Sequence, residues 1–257
     1  MTHEHINPDR FADSAGVPWE GRHFESNPWA NDNGLADPAL KAAIDGFQAG
    51  TTPAETVVDT FRSARLLIPL VAELGEAGEG AHGQTVDKSA DLSIVSVQTP
   101  DGQVGLPVFS SVAAMQLWNA QARPVPIEAT RVALAAASEN NTRIVLDPGS
   151  ATEFVIRRPA IEAIARQVPW EHPVRNANLK ALVAGAINRE PLVENFAIQD
   201  GDPEARLRGP EVQVFLKLVA DVAPEQVQEI VQRLGAAWGA SAEIAAGVDS
   251  LGVKVVQ

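Results

Sequence analysis

The sequence predicts an α/β (or α+β) protein built of two mixed modules, and three observations carry that expectation. Helix-period and strand-period segments are interspersed along the chain; an Asp-Gly turn separates β-rich runs at 91–98 and 103–109; and residues 211–219 alternate, with Val212, Val214, Leu216 and Leu218 on one face. At 257 residues, with 45% hydrophobic and 21% charged positions, the chain can bury a sizeable core. It divides into an extended lead over 1–34, an amino-terminal module over 35–167, a connector over 168–190 and a smaller carboxy-terminal module over 191–257.

The lead holds six acidic residues and two arginines without apolar periodicity, yet carries Phe11, Trp19, Phe24 and Trp29. Rings in that number predict docking, onto this protein's own body or onto a partner. Asp37-Pro38 then opens a helix, with Leu40, Ala43, Ile44 and Phe47 at helical spacing and Gly50 as its stop. Thr52-Pro53-Ala54-Glu55 has capping-box spacing for the next helix, whose face is Val57, Val58 and Phe61. Residues 65–72 read as a strand in which Pro69, lacking a donor, predicts an edge or a bulge. Residues 73–88 are a Gly- and Glu-rich loop. After the hairpin at 91–109, Ser110 or Ser111 caps a helix through Trp118, and an alanine-rich helix is expected over 127–138. A strand over 142–146, the turn Asp147-Pro148-Gly149-Ser150, a strand over 153–156 and a helix over 159–166 complete the first module. Pro169 and Pro173 mark the connector, which is at most partly helical. The second module reads as strands at 191–199 and 211–219, a helix from Pro224 to Gly235, a last helix over 238–246 and a terminal strand over 252–256.

Charge and composition exclude several function classes. Twenty basic against 33 acidic residues give a net charge of −13, which repels nucleic-acid backbones and anionic membrane surfaces. The absence of cysteine removes disulfides, thiolate zinc sites, iron–sulfur clusters and cysteine nucleophiles. The polar amino terminus lacks a signal-peptide pattern, and no segment approaches the roughly 18 apolar residues that a membrane span needs, so the expected location is the cytosol. His3, Glu4 and His5 lie in a terminus that does not preorganise a site, and His23, His82 and His172 are scattered, so no metal is expected. No P-loop, dinucleotide fingerprint or G-x-S-x-G elbow occurs, so no cofactor is expected and the reading leans away from an enzyme.

Two places could still hold a ligand. Asp147, Gly149 and Ser150 converge a carboxylate, a backbone amide and a hydroxyl at the end of a strand, where α/β proteins place ligands. Pro148 and Gly149 equally specify a type II turn whose Asp and Ser satisfy its own backbone. Arg157 and Arg158 could take a carboxylate or phosphate, or form a solvated face paired with Glu153 or Glu162.

Several segments together resemble the SseB family of bacterial proteins. They are Leu106-Pro107-Val108-Phe109-Ser110-Ser111 leading into a helix that ends near Trp118, and Arg143-Ile144-Val145-Leu146-Asp147-Pro148-Gly149-Ser150. Glu211 to Val219 and the following helix look like that family's second domain. The lead's Gly16-Val17-Pro18-Trp19-Glu20-Gly21-Arg22 and Phe24-Glu25-Ser26-Asn27-Pro28-Trp29 look like its actinobacterial branch. The family takes its name from enhanced serine sensitivity on overproduction, and the resemblance implies no reaction, cofactor or catalytic residue. A sulfurtransferase of the rhodanese kind is excluded, because its persulfide needs a cysteine. The leading expectation is a non-enzymatic binding or regulatory protein that recognises a protein or small metabolite. The alternatives are a metabolite sensor or enzyme of amino-acid metabolism with its site at Asp147–Ser150, and an assembly partner docking through the aromatic lead or the strand carrying Pro69.

Overall fold

The computed structural model describes residues 29–72, 92–138 and 141–256. The expectations for the lead's other rings, for His3, Glu4, His5, His23 and His82, and for the loop at 73–88 lie outside these residues. All described helices and strands lie within the unit Gly34–Gln257, which is α/β with mixed sheets.

Helix α1 (Pro38–Gln48) forms where the sequence places it. Asp37 accepts from the backbone N–H groups of Ala39 and Leu40, Pro38 occupies the first turn, and Leu40, Ala43 and Ile44 are buried. Helix α2 (Ala54–Ser63) buries Val57, Val58 and Phe61 but starts without the expected capping box. The Glu55 carboxylate is drawn instead to distant donors, the His172 backbone N–H and Arg175 Nη1, each at 3.1 Å.

Strand β1 (Arg65–Ala72) is the middle strand of a sheet, between β2 (Leu92–Ile94) and β5 (Arg123–Glu128), and antiparallel to both. Pro69 therefore lies on neither an edge nor a bulge. Leu67 exchanges both its backbone hydrogen bonds with Phe109, so Leu67 and Pro69 turn their backbone groups away from β5. Opposite Pro69 stands Pro124, a rung that needs no N–H from either, and β2 starts pairing only at Leu70. β5 corrects a second expectation, because the helix read over 127–138 begins only at Ala129, as α4 (Ala129–Ser138). Pro124 and Pro126 broke the strand pattern, yet both direct their missing donors to the sheet's outer edge.

The second sheet has the order β3 (Val97–Gln98), β4 (Val104–Val108), β6 (Arg143–Leu146), β7 (Phe154–Arg157). β3 and β4 are the expected hairpin around Gly102, but the run read as one strand over 91–98 is divided, its first half serving β1 as β2. β6 lies parallel to β4 and antiparallel to β7. Helix α3 (Val112–Trp118) is capped by Ser111 Oγ, at 3.2 Å from the Ala114 N–H, and α5 (Arg158–Ala165) follows β7. Phe61, Leu66, Val108, Ile144, Leu146 and Ile164 centre one apolar core.

A second core forms from the rest of the chain. The connector supplies helix α6 (Ala177–Ile187), whose Val183 and Ile187 are buried against Val212, Val214 and Leu216. Strands β8 (Val193–Asp200) and β9 (Val212–Leu218) are antiparallel, and β10 (Leu251–Val256) adds parallel to β9. Between β9 and β10 run α7 (Pro224–Gly239) and α8 (Ala242–Gly247). α7 passes through Gly235, the expected stop, because Leu234 and Trp238 lie one turn apart on its buried face and Trp238 Nε1 donates to Val183 O at 3.2 Å. No described helix is long and apolar enough to cross a membrane.

Candidate functional site

Asp147 sits at the carboxy end of β6 with φ +49°, and Gly149 takes φ +74°, the left-handed value that the third residue of a type II turn requires. The turn closes through the Ser150 N–H to Asp147 O at 3.1 Å. The Asp147 side chain is buried and faces inward. It accepts from the Ser110 N–H and Ser110 Oγ, each at 2.7 Å, and from Thr152 Oγ1 at 2.9 Å. Burial raises its pKa, against the pull of those three donors. The Gly149 N–H is taken by Glu153 Oε2 at 2.6 Å, and Ser150 Oγ accepts from the Thr152 N–H and donates to Thr152 Oγ1, whose own proton goes to Asp147. Asp147→Ala is expected to cost about 2–3 kcal/mol in urea unfolding, because both Ser110 donors lose their acceptor; a cost under about 1 kcal/mol would show that water replaces the carboxylate.

Arg157 lies at the other end of β7, so the structure does not bring it together with Asp147. Its register partner on β6 is Arg143, which places two guanidinium groups side by side across the ladder. Three aspartates offset that repulsion. Asp249 accepts from Arg143 Nη1 at 2.7 Å, Arg143 Nη2 at 2.9 Å and Arg157 Nη1 at 3.2 Å. Asp101, in the β3–β4 turn, takes Arg143 Nε and Nη2, and Asp202 takes Arg157 Nη2 at 2.7 Å. Ser250 Oγ and Gly209 O accept the remaining Arg157 Nη hydrogens. Burial acts to raise the Asp101 pKa, but the Thr99 hydroxyl and Arg143 outweigh it and hold it low. Arg157 is thus buried, not solvated, and ties β7 to the loop after β8 and the turn before β10. Arg158 does pair with Glu162, at 3.0 Å, and also donates to the Ala245 and Val248 carbonyls at the end of α8.

Asp202 also organises the loop between β8 and β9. It accepts from the backbone N–H groups of Arg206, Leu207 and Arg208, holding Ala205 and Leu207 at positive φ, and Ala205 O receives the Val155 N–H at 2.7 Å. The loop is thereby laid along the free edge of β7. Glu211, at its end, donates its N–H to Ser250 Oγ and receives the Asp249 N–H on Oε2 at 2.6 Å. Its other oxygen, Oε1, is buried with no hydrogen-bond partner, and the residue is 2% exposed. Burial, reinforced by the Asp249 charge, pushes the Glu211 pKa up to about 7, against the Asp249 N–H bond and the two arginines.

These groups border a cavity of about 30 Å³, room for one or two waters or a group of that size. Its lining includes the polar residues Glu211, Arg157, Asp202, Asp200, His172 and Trp170 and the apolar residues Phe47, Val58 and Phe154. His172 Nδ1 accepts from the Val174 N–H at 3.3 Å, which places the neutral ring's proton on Nε2, 3.6 Å from Asp200 Oδ2. Burial lowers the His172 pKa, over the opposing pull of Asp200 and Glu55. Trp170 Nε1 is a second buried polar atom with no partner. A separate groove of about 380 Å³ runs beside Pro148, Gly149, Glu153 and Trp118. Among the described residues no group of three or more His, Asp or Glu side chains is placed to hold a metal.

Residues 40–163 match the family model of the SseB protein N-terminal domain. No curated protein and no solved structure matches the chain.

Proposed function

Because residues 40–163 match the SseB N-terminal domain, we propose that the chain is a non-enzymatic binding or regulatory protein of the cytosol that takes one polar group of a small metabolite into the cavity where β7 meets the β8–β9 loop. One observation carries the reading: a carboxyl group, Glu211, is buried at a cavity wall with one oxygen unpartnered, beside a Trp170 indole N–H in the same condition. A group left this way costs about 1–3 kcal/mol, a penalty that a ligand supplying the missing bonds relieves. Such a ligand would brace the joint at which Arg157 and Asp249 hold the chain's two cores together, which gives binding a structural consequence. The net charge of −13 supports a partner other than nucleic acid or an anionic membrane.

A thermal-shift screen of the full chain against amino acids, amines, carboxylates and nucleotides tests the reading. The expected result is a saturable rise in Tm that Glu211→Gln weakens at least tenfold and Glu153→Gln leaves unchanged. A flat screen contradicts the small-metabolite reading. The second reading, a ligand beside the Asp147–Ser150 turn, is favoured by the groove there and predicts the reverse pattern between the two variants.

A further inference from the structure

We propose that the group this cavity binds is a protonated primary amine. The inference rests on the cavity being the ligand site and adds the chemistry of its occupant.

The polar lining is rich in acceptors, and an ammonium group meets the unpartnered Glu211 Oε1 while leaving the Trp170 N–H, a donor, unmet. Asp200, Asp202 and Glu211 bring three carboxyl groups against one guanidinium, Arg157, whose Nη atoms already bond Asp202, Asp249, Ser250 and the Gly209 carbonyl. An incoming anion would meet no free cation there. Glu211 Oε1, by contrast, is an acceptor with nothing to accept, and a protonated amine supplies both hydrogen-bond donors and the opposite charge. Size agrees, since an ammonium head is about as large as a water molecule and the space is about 30 Å³. Phe47 and Phe154 also line the space, and aromatic faces attract a cation, while the alkyl stem of the amine stays outside the cavity.

The amine could belong to a small metabolite or to a lysine side chain of another protein, and the experiment separates the two. The full chain is titrated calorimetrically at pH 8 with butylammonium, with Nα-acetyl-lysine methylamide and with butyrate, each against sodium chloride of equal ionic strength. Butylammonium is expected to bind saturably, about tenfold more weakly at pH 6 than at pH 8 as Glu211 gains its proton. Butyrate should give no heat of binding. Binding of the capped lysine with equal affinity would identify a lysine side chain as an admissible source, and failure of that probe alone would restrict the site to free amines. Glu211→Gln should weaken butylammonium at least tenfold; Asp200→Asn, at a half-exposed residue outside the arginine network, should weaken it severalfold with folding intact. If amines fail to bind while another class of compound shifts Tm in a Glu211-dependent way, the amine assignment falls and the site stands. If amines bind with both variants indifferent, the assignment to this cavity is overturned.

Discussion

Asp249→Ala is expected to lower stability by about 3–5 kcal/mol, the cost of removing one partner from a buried ionic cluster. The aspartate is the only acceptor that touches both Arg143 and Arg157 among the described residues, and those two cations face each other across β6 and β7. Without it, Asp101 still holds Arg143 and Asp202 still holds Arg157, but the facing charges lose the anion between them. The loss should appear in urea unfolding as a lower midpoint. Arg157→Met, which strips Asp202 of its cation in either background, should cost less in the Asp249→Ala variant than in the parent, since there it also removes the repulsion that the first change exposed. Strictly additive losses would show that the two side chains are not coupled.

Glu211→Gln is expected to do the opposite above neutrality. In the folded chain Glu211 titrates at about 7 against an ordinary value of 4.5, so the native state binds its proton more tightly than the unfolded state does. Its stabilising contribution is complete below pH 4.5 and is lost as the pH rises through about 7. A shift of that size amounts to about 3 kcal/mol. Glutamine keeps an oxygen for the Asp249 N–H and carries no charge, so the variant should match the parent near pH 4.5 and exceed it by up to that amount at pH 8. His172 carries the other sign. Its folded pKa is lowered, so its contribution is present above pH 6.5 and lost as the pH falls below it, in both proteins alike. The difference between the two pH profiles therefore isolates Glu211, and parallel profiles would contradict its burial as a proton-holding group.

What the sequence made legible was local. The Asp37 cap, the Asp-Gly hairpin, the Ser111 cap and the alternation of Val212, Val214 and Leu216 each depend on residues within a few positions of one another, and each is present. Where a local signal met a tertiary one, the tertiary one won: Pro69 inside a middle strand, β5 through two prolines, α7 through Gly235, and Glu55 drawn from its cap to His172 and Arg175. The junction was not legible for the same reason. Arg157 meets Asp202 45 positions away and Arg143 meets Asp249 106 positions away, across cores whose packing alone sets those distances. A faint signal existed in Arg143 and Arg157, charged residues at the ends of otherwise apolar strands, where burial demands a partner. Asp147, singled out for its carboxylate, proves to hold Ser110 and Thr152 in place.

The most direct test of the junction as a ligand site is the indole N–H region of the nitrogen-edited NMR spectrum during a ligand titration. Trp170 Nε1 lies unpartnered by the junction cavity, whereas Trp118 borders the groove beside Pro148 and Gly149, and single Trp→Phe variants assign the two resonances. The expected result is a saturable shift of the Trp170 signal, in step with the rise in Tm, with Trp118 unmoved. A moving Trp118 signal with Trp170 fixed would contradict the junction site and transfer the ligand to the turn.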